Sequence, residues 1–231
     1  AYASADNQAA VMIIPESENV KVTNMTLTGG YSEGHGCSGG GGLLVTADDM
    51  TNLDFFDIRQ NNAVLENLIV EDNHSHNGGG VSFFRVTGAV VDNVIARNNQ
   101  ATFNGGGFFV YCSEVSMSNI EANGNTVLGY NMGNGNLAYG GGIFLAGVEG
   151  TITNATILNN TAIDGGGLAT TGSGNTWTMT NSTVSGNTSS SNGGGMFFID
   201  EAQPILSNVA LENNTAGRGG GISVGTATPV F

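Results

Sequence analysis

Two carboxylates, Glu66 and Asp92, occupy equivalent places in neighbouring copies of an internal repeat. Each directly precedes an asparagine that marks the repeat, so stacked copies would hold the two side chains about 5 Å apart. Glycoside hydrolysis requires a pair of carboxylates about 5 to 9.5 Å apart. The pair is therefore a candidate catalytic site, although one coincidence of this kind among 19 acidic residues is expected by chance.

A lyase would need a calcium-binding acidic cluster together with a catalytic arginine or lysine. Arg97 falls beside Glu71 in the next repeat, and this placement is more typical of a surface ion pair of small energetic value. We therefore favour a protein that is not an enzyme, and a polysaccharide-acting lyase or glycoside hydrolase stays open as an alternative.

The three histidines, His35, His74 and His76, fall in the same bend of two adjacent repeats when the sequence is aligned on its glycine runs. Imidazole together with the nearby carboxylates suits zinc or nickel. The spacing enforces no ligand geometry, so solvated turn residues are the favoured interpretation. No metal or other cofactor is predicted.

Two cysteines, Cys37 and Cys112, fall about two repeats apart and at different points of the repeat. We do not expect them to pair.

The net charge of −14 and five scattered basic residues exclude a nucleic-acid partner, because phosphate binding needs clustered lysine and arginine. The same charge argues against an anionic membrane surface, and no apolar stretch is long enough for membrane insertion.

The repeat itself has three landmarks. A glycine run followed by an apolar residue occurs seven times, and its last glycines are Gly42, Gly80, Gly107, Gly142, Gly167, Gly195 and Gly221. An asparagine flanked by apolar residues forms a first row: Asn24, Asn67, Asn93, Asn119, Asn154, Asn181 and Asn208. Six residues later a second row follows: Asn73, Asn99, Asn125, Asn160, Asn187 and Asn214, with Gly30 in the first repeat. The base period is 26 or 27 residues.

Apolar residues lie two before, one after and three after the first-row asparagines, with Ser182 as the exception, and no single straight strand can turn all three positions to one side. The phase slips by one residue at the asparagine, which predicts a sharp bend in the left-handed conformation that asparagine tolerates. The amides of this row are expected to hydrogen-bond between repeats as a structural ladder. A further strand follows each glycine run.

Outward positions of that further strand are unusually apolar. They are Leu44, Phe84, Phe109, Tyr111, Phe144 and Phe197, here called the outer row. An exposed outer row would be a binding surface for sugars or for a partner protein. We favour instead that Phe55, Phe56 and Tyr130 cover it from two insertions, at about 46–62 and 124–139. A carbohydrate-binding module on this row stays open as a second alternative.

Together these patterns predict an all-β fold, a right-handed single-stranded parallel β-helix of about seven coils with three short strands each. The chain is interpreted as one domain spanning 1–231, with the alternative that it is a segment of a longer solenoid. Coils of this kind are stable only when stacked on neighbours, so both ends need covering.

Three segments carry a family resemblance: ILNNTAIDGGGL (157–168), VSGNTSSSNGGGM (184–196) and LENNTAGRGGGI (211–222). They resemble the repeats of polymorphic outer-membrane proteins, in which an apolar-x-x-Asn element precedes Gly-Gly-Ala-Ile. Here glycine stands in place of that alanine. The resemblance implies an exported bacterial protein, secreted or on the cell surface, with a structural or adhesive role. We expect self-association through the coil ends, up to a filament, or binding of another surface protein or glycan.

Overall fold

A computed structural model describes residues 10–15, 18–32, 39–46, 59–131, 136–173 and 175–231. These residues form strands, bends and turns without a helix, and almost all strand pairs are parallel. The prediction of an all-β fold with parallel strands is confirmed.

Three parallel sheets contain most of the strands. The glycine-following sheet consists of β1 (Met12–Pro15), β4 (Leu43–Thr46), β8 (Val81–Phe84), β12 (Phe108–Tyr111), β18 (Ile143–Ala146), β22 (Leu168–Thr171), β25 (Met196–Phe198) and β27 (Ile222–Val224). The asparagine sheet consists of β2 (Lys21–Thr28), β6 (Val64–Glu71), β10 (Ala89–Arg97), β13 (Glu114–Ser118), β14 (Glu121–Asn123), β19 (Glu149–Thr153), β20 (Thr156–Leu158), β23 (Thr176–Ser185) and β26 (Ile205–Glu212).

Shorter strands form the third sheet and two isolated pairs. The short-strand sheet consists of β3 (Tyr31–Ser32), β7 (His74–Asn77), β11 (Gln100–Asn104), β15 (Thr126–Val127), β21 (Thr161–Ala162) and β24 (Thr188–Ser189). The isolated pairs are β5 (Arg59–Gln60) with β9 (Val86–Thr87), and β16 (Tyr130–Asn131) with β17 (Asn136–Leu137).

Strand register follows the sequence repeat. Leu65 pairs with Val91, and Leu68 pairs with Val94, so equivalent residues of successive repeats are direct neighbours. Side chains that alternate along each strand therefore form continuous columns across the sheet, half of them directed inward. The inward columns make one hydrophobic core, in which Trp177 packs edge-on against Phe198 with ring centroids 6.2 Å apart.

Two features differ from the expected arrangement. The short-strand sheet, which begins just after each second-row asparagine, was not predicted. The first-row asparagines do adopt a left-handed conformation, with φ between 50° and 57°, but in most repeats they lie inside one strand of the asparagine sheet. Strand pairing resumes after a single residue, so the bend changes the side-chain phase without separating the two halves into different sheets.

The two insertions interrupt this order differently. Most of 46–62 lies outside the described residues, and its last part forms β5, which pairs with β9. In 124–139, β15 keeps its regular place in the short-strand sheet, and β16 pairs antiparallel with β17. Tyr139 then rejoins the stack by bridging to Asn104 and Asp164. The second insertion therefore leaves the strand order around it unchanged.

Candidate functional site

The second asparagine row, here called the ladder row, forms a buried chain of side-chain amides. The backbone N–H of Asn99 donates to Asn125 Oδ1 at 2.9 Å, and Asn99 Nδ2 donates to the same oxygen at 3.1 Å. Asn125 Nδ2 donates to the Ala96 carbonyl at 2.9 Å and to Asn160 Oδ1 at 3.0 Å. Each interior amide thus uses both donors and both acceptor positions, as a buried polar group must.

This pattern repeats without interruption from Asn73 to Asn214 and gives the ladder a direction. Every link runs from the donors of one repeat to the Oδ1 of the next repeat along the sequence. Gly30 replaces asparagine in the first repeat and donates only its backbone N–H, to Asn73 Oδ1 at 2.8 Å. The ladder therefore presents donors toward the C-terminal repeat.

The last glycine of each run is held against this ladder. A Cβ added at Gly107 would lie 2.7 Å from the Gly142 carbonyl oxygen and 2.9 Å from Asn125 Nδ2. Both distances are shorter than the van der Waals contact of a carbon atom, so the chain passes too close to the amide for any side chain. The glycine run is needed for this close approach.

The first asparagine row, here called the bend row, is exposed, and its amides form some of the predicted links between neighbouring repeats but no continuous ladder. Asn93 Nδ2 donates to Asn67 Oδ1 at 2.8 Å, and Asn208 Nδ2 donates to Asn181 Oδ1 at 2.8 Å. Asn119 Nδ2 instead donates to a carboxylate oxygen of Asp92 at 2.7 Å. The sequence predicted the structural ladder in this row. The continuous buried ladder is instead formed by the second row, because the left-handed bend leaves the first-row side chains exposed.

The two candidate carboxylates are direct neighbours in register and both have structural partners. Glu66 forms an ion pair with Lys21 at 2.8 Å. Asp92 accepts hydrogen bonds from Ser118 Oγ at 2.6 Å and from Asn119, and these bonds hold its pKa below the usual value. Asp92 is therefore ionised at neutral pH and cannot act there as the proton-donating carboxylic acid that glycoside hydrolysis needs.

The lowered pKa of Asp92 predicts a pH dependence of stability. Because the folded-state pKa lies below the unfolded value near 3.8, this carboxylate stabilises the fold above that pH, and the contribution disappears as the pH falls through the folded pKa. We expect Asp92→Asn to remove this part of the acid sensitivity. NMR titration of the Asp92 carboxyl carbon should also show a higher pKa in Ser118→Ala, and an unchanged pKa would contradict the assignment.

The remaining candidate residues do not form a site in the described part of the chain. His35 and Cys37 lie outside it. His74 stacks on Tyr31 with ring centroids 4.8 Å apart, and its Nδ1 lies 2.8 Å from Gln100 Oε1. Among the described residues, no three histidine, cysteine, aspartate or glutamate side chains are grouped to hold a metal. Cys112 is a free, half-buried thiol.

The outer row is a second apolar layer rather than an exposed surface. Phe109 stacks on Phe144 with centroids 5.6 Å apart and is only 2 % exposed, and Tyr139 stacks on Phe144 and Phe197. Leu44 and Phe84 are equally buried, and Tyr111 is half-buried. The alternative of an open sugar-binding row does not fit these side chains, because rings buried to this extent present no face to a sugar. Phe55 and Phe56 lie outside the described residues, as does the side chain of Tyr130.

Truncation of this layer should therefore affect stability. We expect Phe144→Ala to lower the free energy of unfolding by about 3 kcal/mol, because it removes a buried ring and leaves a cavity. Leu128→Ala, at an exposed apolar position, is the matched control and should change it by about 0.5 kcal/mol at most. Denaturant unfolding measures both, and equal effects of the two substitutions would contradict the buried assignment.

One polar row escaped sequence analysis, at the residue directly before each glycine run. Asn104 Nδ2 donates to Asn77 Oδ1 at 3.0 Å, and Asn192 Nδ2 donates to Asp164 Oδ1 at 2.8 Å. Tyr139 occupies the same place in the intervening repeat, where burial, together with the charges of Asp164 and Asp200, raises its pKa. The mixed residue types hid the row, and alignment on the first glycine of each run would have shown it.

The C-terminal repeat, comprising β26 and β27 and here called the terminal repeat, has an open face. Leu211 and Ile222 are half-buried, whereas their equivalents in the preceding repeat, Val184 and Met196, are fully buried. A depression of about 360 Å³ in this region is lined by Leu206, Asn208, Val209, Ala210, Leu211, Ile222 and Phe231. Val230 bridges to Ile205 and covers only the start of β26. Phe231 is 73 % exposed.

These features define an all-β protein of stacked parallel strands whose repeats are joined by side-chain amides. No protein-family model and no curated protein sequence matches the chain. In the described ranges, no helix is long and apolar enough to cross a membrane.

Proposed function

We propose that the chain is a right-handed parallel β-helix of seven coils that serves as a structural or adhesive rod outside the cell, secreted or at the cell surface. The uninterrupted amide ladder from Asn73 to Asn214 carries this proposal. Its links join residues 26, 27 or 35 positions apart, which is one sequence repeat in each case. Connections between parallel strands of one sheet are right-handed in about 98 % of cases, which supports the handedness.

The distribution of charge and polar contacts supports a structural role over a catalytic one. The two carboxylates suited to polysaccharide cleavage are engaged by Lys21, Ser118 and Asn119, and Arg97 forms an ion pair with Glu71 at 2.6 Å. The net charge of −14 gives the rod an acidic surface, which favours solubility. The resemblance of three segments to polymorphic outer-membrane protein repeats supports the extracellular location.

Two experiments test this function. Incubation with neutral and acidic polysaccharides should release neither reducing ends nor unsaturated products. Product release that Glu66→Gln or Asp92→Asn abolishes would overturn the structural role in favour of the enzyme. Proteolysis of the folded chain should be slow, because each interior coil is held on both sides by backbone and amide hydrogen bonds. Rapid cleavage within the described interior coils would contradict the rod.

End-to-end stacking of copies stays a prediction from the sequence and is not part of this proposal, because the first repeat of a second copy carries Gly30 where the terminal repeat needs an amide. The open terminal repeat is the association surface in the proposal, since exposed strand edges and apolar side chains are a ready template for pairing. Sedimentation at micromolar concentration and electron microscopy distinguish joined rods from a monomer.

A further inference from the structure

We infer that the terminal repeat selects its partner through the amide ladder and accepts a β-helical coil that carries asparagine at the ladder position. This inference rests on the proposed β-helix and identifies the partner of its open end. The partner is a coil of another polypeptide, and it is recognised by its chemistry, an inward amide at the ladder position.

The first observation is the unfinished bonding of Asn214. Its Oδ1 accepts from the N–H and Nδ2 of Asn187 at 2.9 and 3.0 Å, and its own Nδ2 donates to the Val184 carbonyl at 2.8 Å. Among the contacts of the described residues, its backbone N–H and its second Nδ2 proton have no acceptor. In every interior repeat one asparagine Oδ1 of the following repeat accepts both, so the missing group is a single amide oxygen.

The second observation is the apolar surface around that amide. Val209, Leu211 and Ile222 are inward-facing residues that remain half-buried, and Val224 and Val230 are 45 % and 57 % exposed. A further coil would bury these side chains in the way that the terminal repeat itself buries Val184 and Met196. The docking surface therefore continues an interface that the molecule already repeats along its length.

The opposite end of a second copy does not supply the missing group. Its first repeat carries Gly30 at the ladder position and has no side-chain oxygen there. An amide cannot be accommodated, because a Cβ added at Gly30 would overlap the carbonyl oxygen of Gly41. Stacking of that end on the terminal repeat would bury the two Asn214 donors without a partner, which is unfavourable. The ladder thus favours an asparagine-bearing coil over a second copy.

The register at Val230 allows a direct test in the full chain. Val230 pairs with Ile205, and Ile205 pairs with Thr178, so Val230 occupies the place that Thr178 has two repeats earlier. A copy of residues 180–206 placed directly after Phe231 therefore continues the stack in register. Amide hydrogen exchange of Asn214 is then compared between the unextended chain, this extended chain and two controls. One control carries Asn187→Gly in the appended copy, and the matched control carries Asn181→Gly there, at an exposed bend that glycine tolerates.

We expect the extension and its Asn181→Gly control to slow exchange of the Asn214 backbone N–H by about tenfold or more, the scale of one hydrogen bond. The Asn187→Gly control should leave that rate within about twofold of the unextended chain. The inference is overturned by an intact extension that leaves Asn214 unprotected, or by equal protection in the Asn187→Gly control. Protection of Asn214 that rises with concentration in the unextended chain overturns it as well, since a second copy then covers the end.

The same data separate failure of this inference from failure of the proposed architecture. The backbone N–H groups of Asn99, Asn125 and Asn160 lie in the interior ladder and should be protected in every variant. Exchange of these groups at the rate of an unfolded chain would refute the coil stack itself. Their protection together with a contrary result at Asn214 would refute only the partner selection.

Discussion

Replacement of Asn125 by alanine is expected to lower the free energy of unfolding by about 3 kcal/mol or more. The substitution leaves the N–H and Nδ2 of Asn99 and the Ala96 carbonyl without their shared partner in a dry interior. Asn160 Oδ1 loses one of its two donors and keeps only the backbone N–H of residue 125. Each buried polar group left unsatisfied costs about 1 to 3 kcal/mol, and local rearrangement relieves part of the total. Denaturant unfolding at constant m value measures the change.

The bend row supplies the control for this prediction. Asn181 is exposed, has a φ of 50° and accepts one hydrogen bond, from Asn208 at 2.8 Å. Glycine adopts the same conformation freely, so Asn181→Gly should change the free energy of unfolding by only about 0.5 kcal/mol. Similar losses for Asn125→Ala and Asn181→Gly would show that burial of the amide does not determine its contribution.

The substitution Gly107→Ala is expected to have the second large effect, a loss of about 3 kcal/mol. Its methyl group would lie 2.7 Å from the Gly142 carbonyl oxygen and 2.9 Å from Asn125 Nδ2, so either the backbone or the ladder amide must move. Overpacking of a tight interior typically costs about 1 to 3 kcal/mol. Disturbance of the amide adds to this loss. Thermal or denaturant unfolding measures the effect.

Gly221 occupies the same place in the terminal repeat and provides a matched comparison. A Cβ there would meet only the Cβ of Leu211, at 4.0 Å, which is ordinary contact. Gly221→Ala should therefore be neutral or slightly stabilising, because alanine restricts the unfolded chain more than glycine does. A large loss from Gly221→Ala would mean that the glycine is required by the local turn rather than by the neighbouring repeat.

The strand order was predictable because its signals are local and periodic. Apolar residues at fixed distances from Asn67 or Asn93 set the inward columns, and the recurrence of glycine runs sets the length of each repeat. Stacking then follows, since a single repeat cannot bury its inward side chains alone. The short-strand sheet lacked such a signal, because strands as brief as Thr126–Val127 contain no alternation to detect.

The candidate site was predicted less well, because side-chain direction is not visible in spacing. Both asparagine rows recur with the same period, yet Asn125 is fully buried and Asn119 is exposed. The difference arises from the left-handed backbone of Asn119, which places its amide on the outside. Burial of Phe109 was equally hidden, since periodicity shows that a residue points away from the core but not whether other parts of the molecule cover it.

The ladder link between Asn125 and Asn160 spans 35 residues yet has the same geometry as links that span 26 or 27. The extra length leaves the stack after Gly129 and returns at Ala138, and β16 pairs with β17 between these points. Foreign peptides grafted between Tyr130 and Leu137 should therefore be tolerated without lowering the melting temperature of the stack. Natural variation in chain length should concentrate at this point too, while insertions and deletions elsewhere should have the length of one whole repeat.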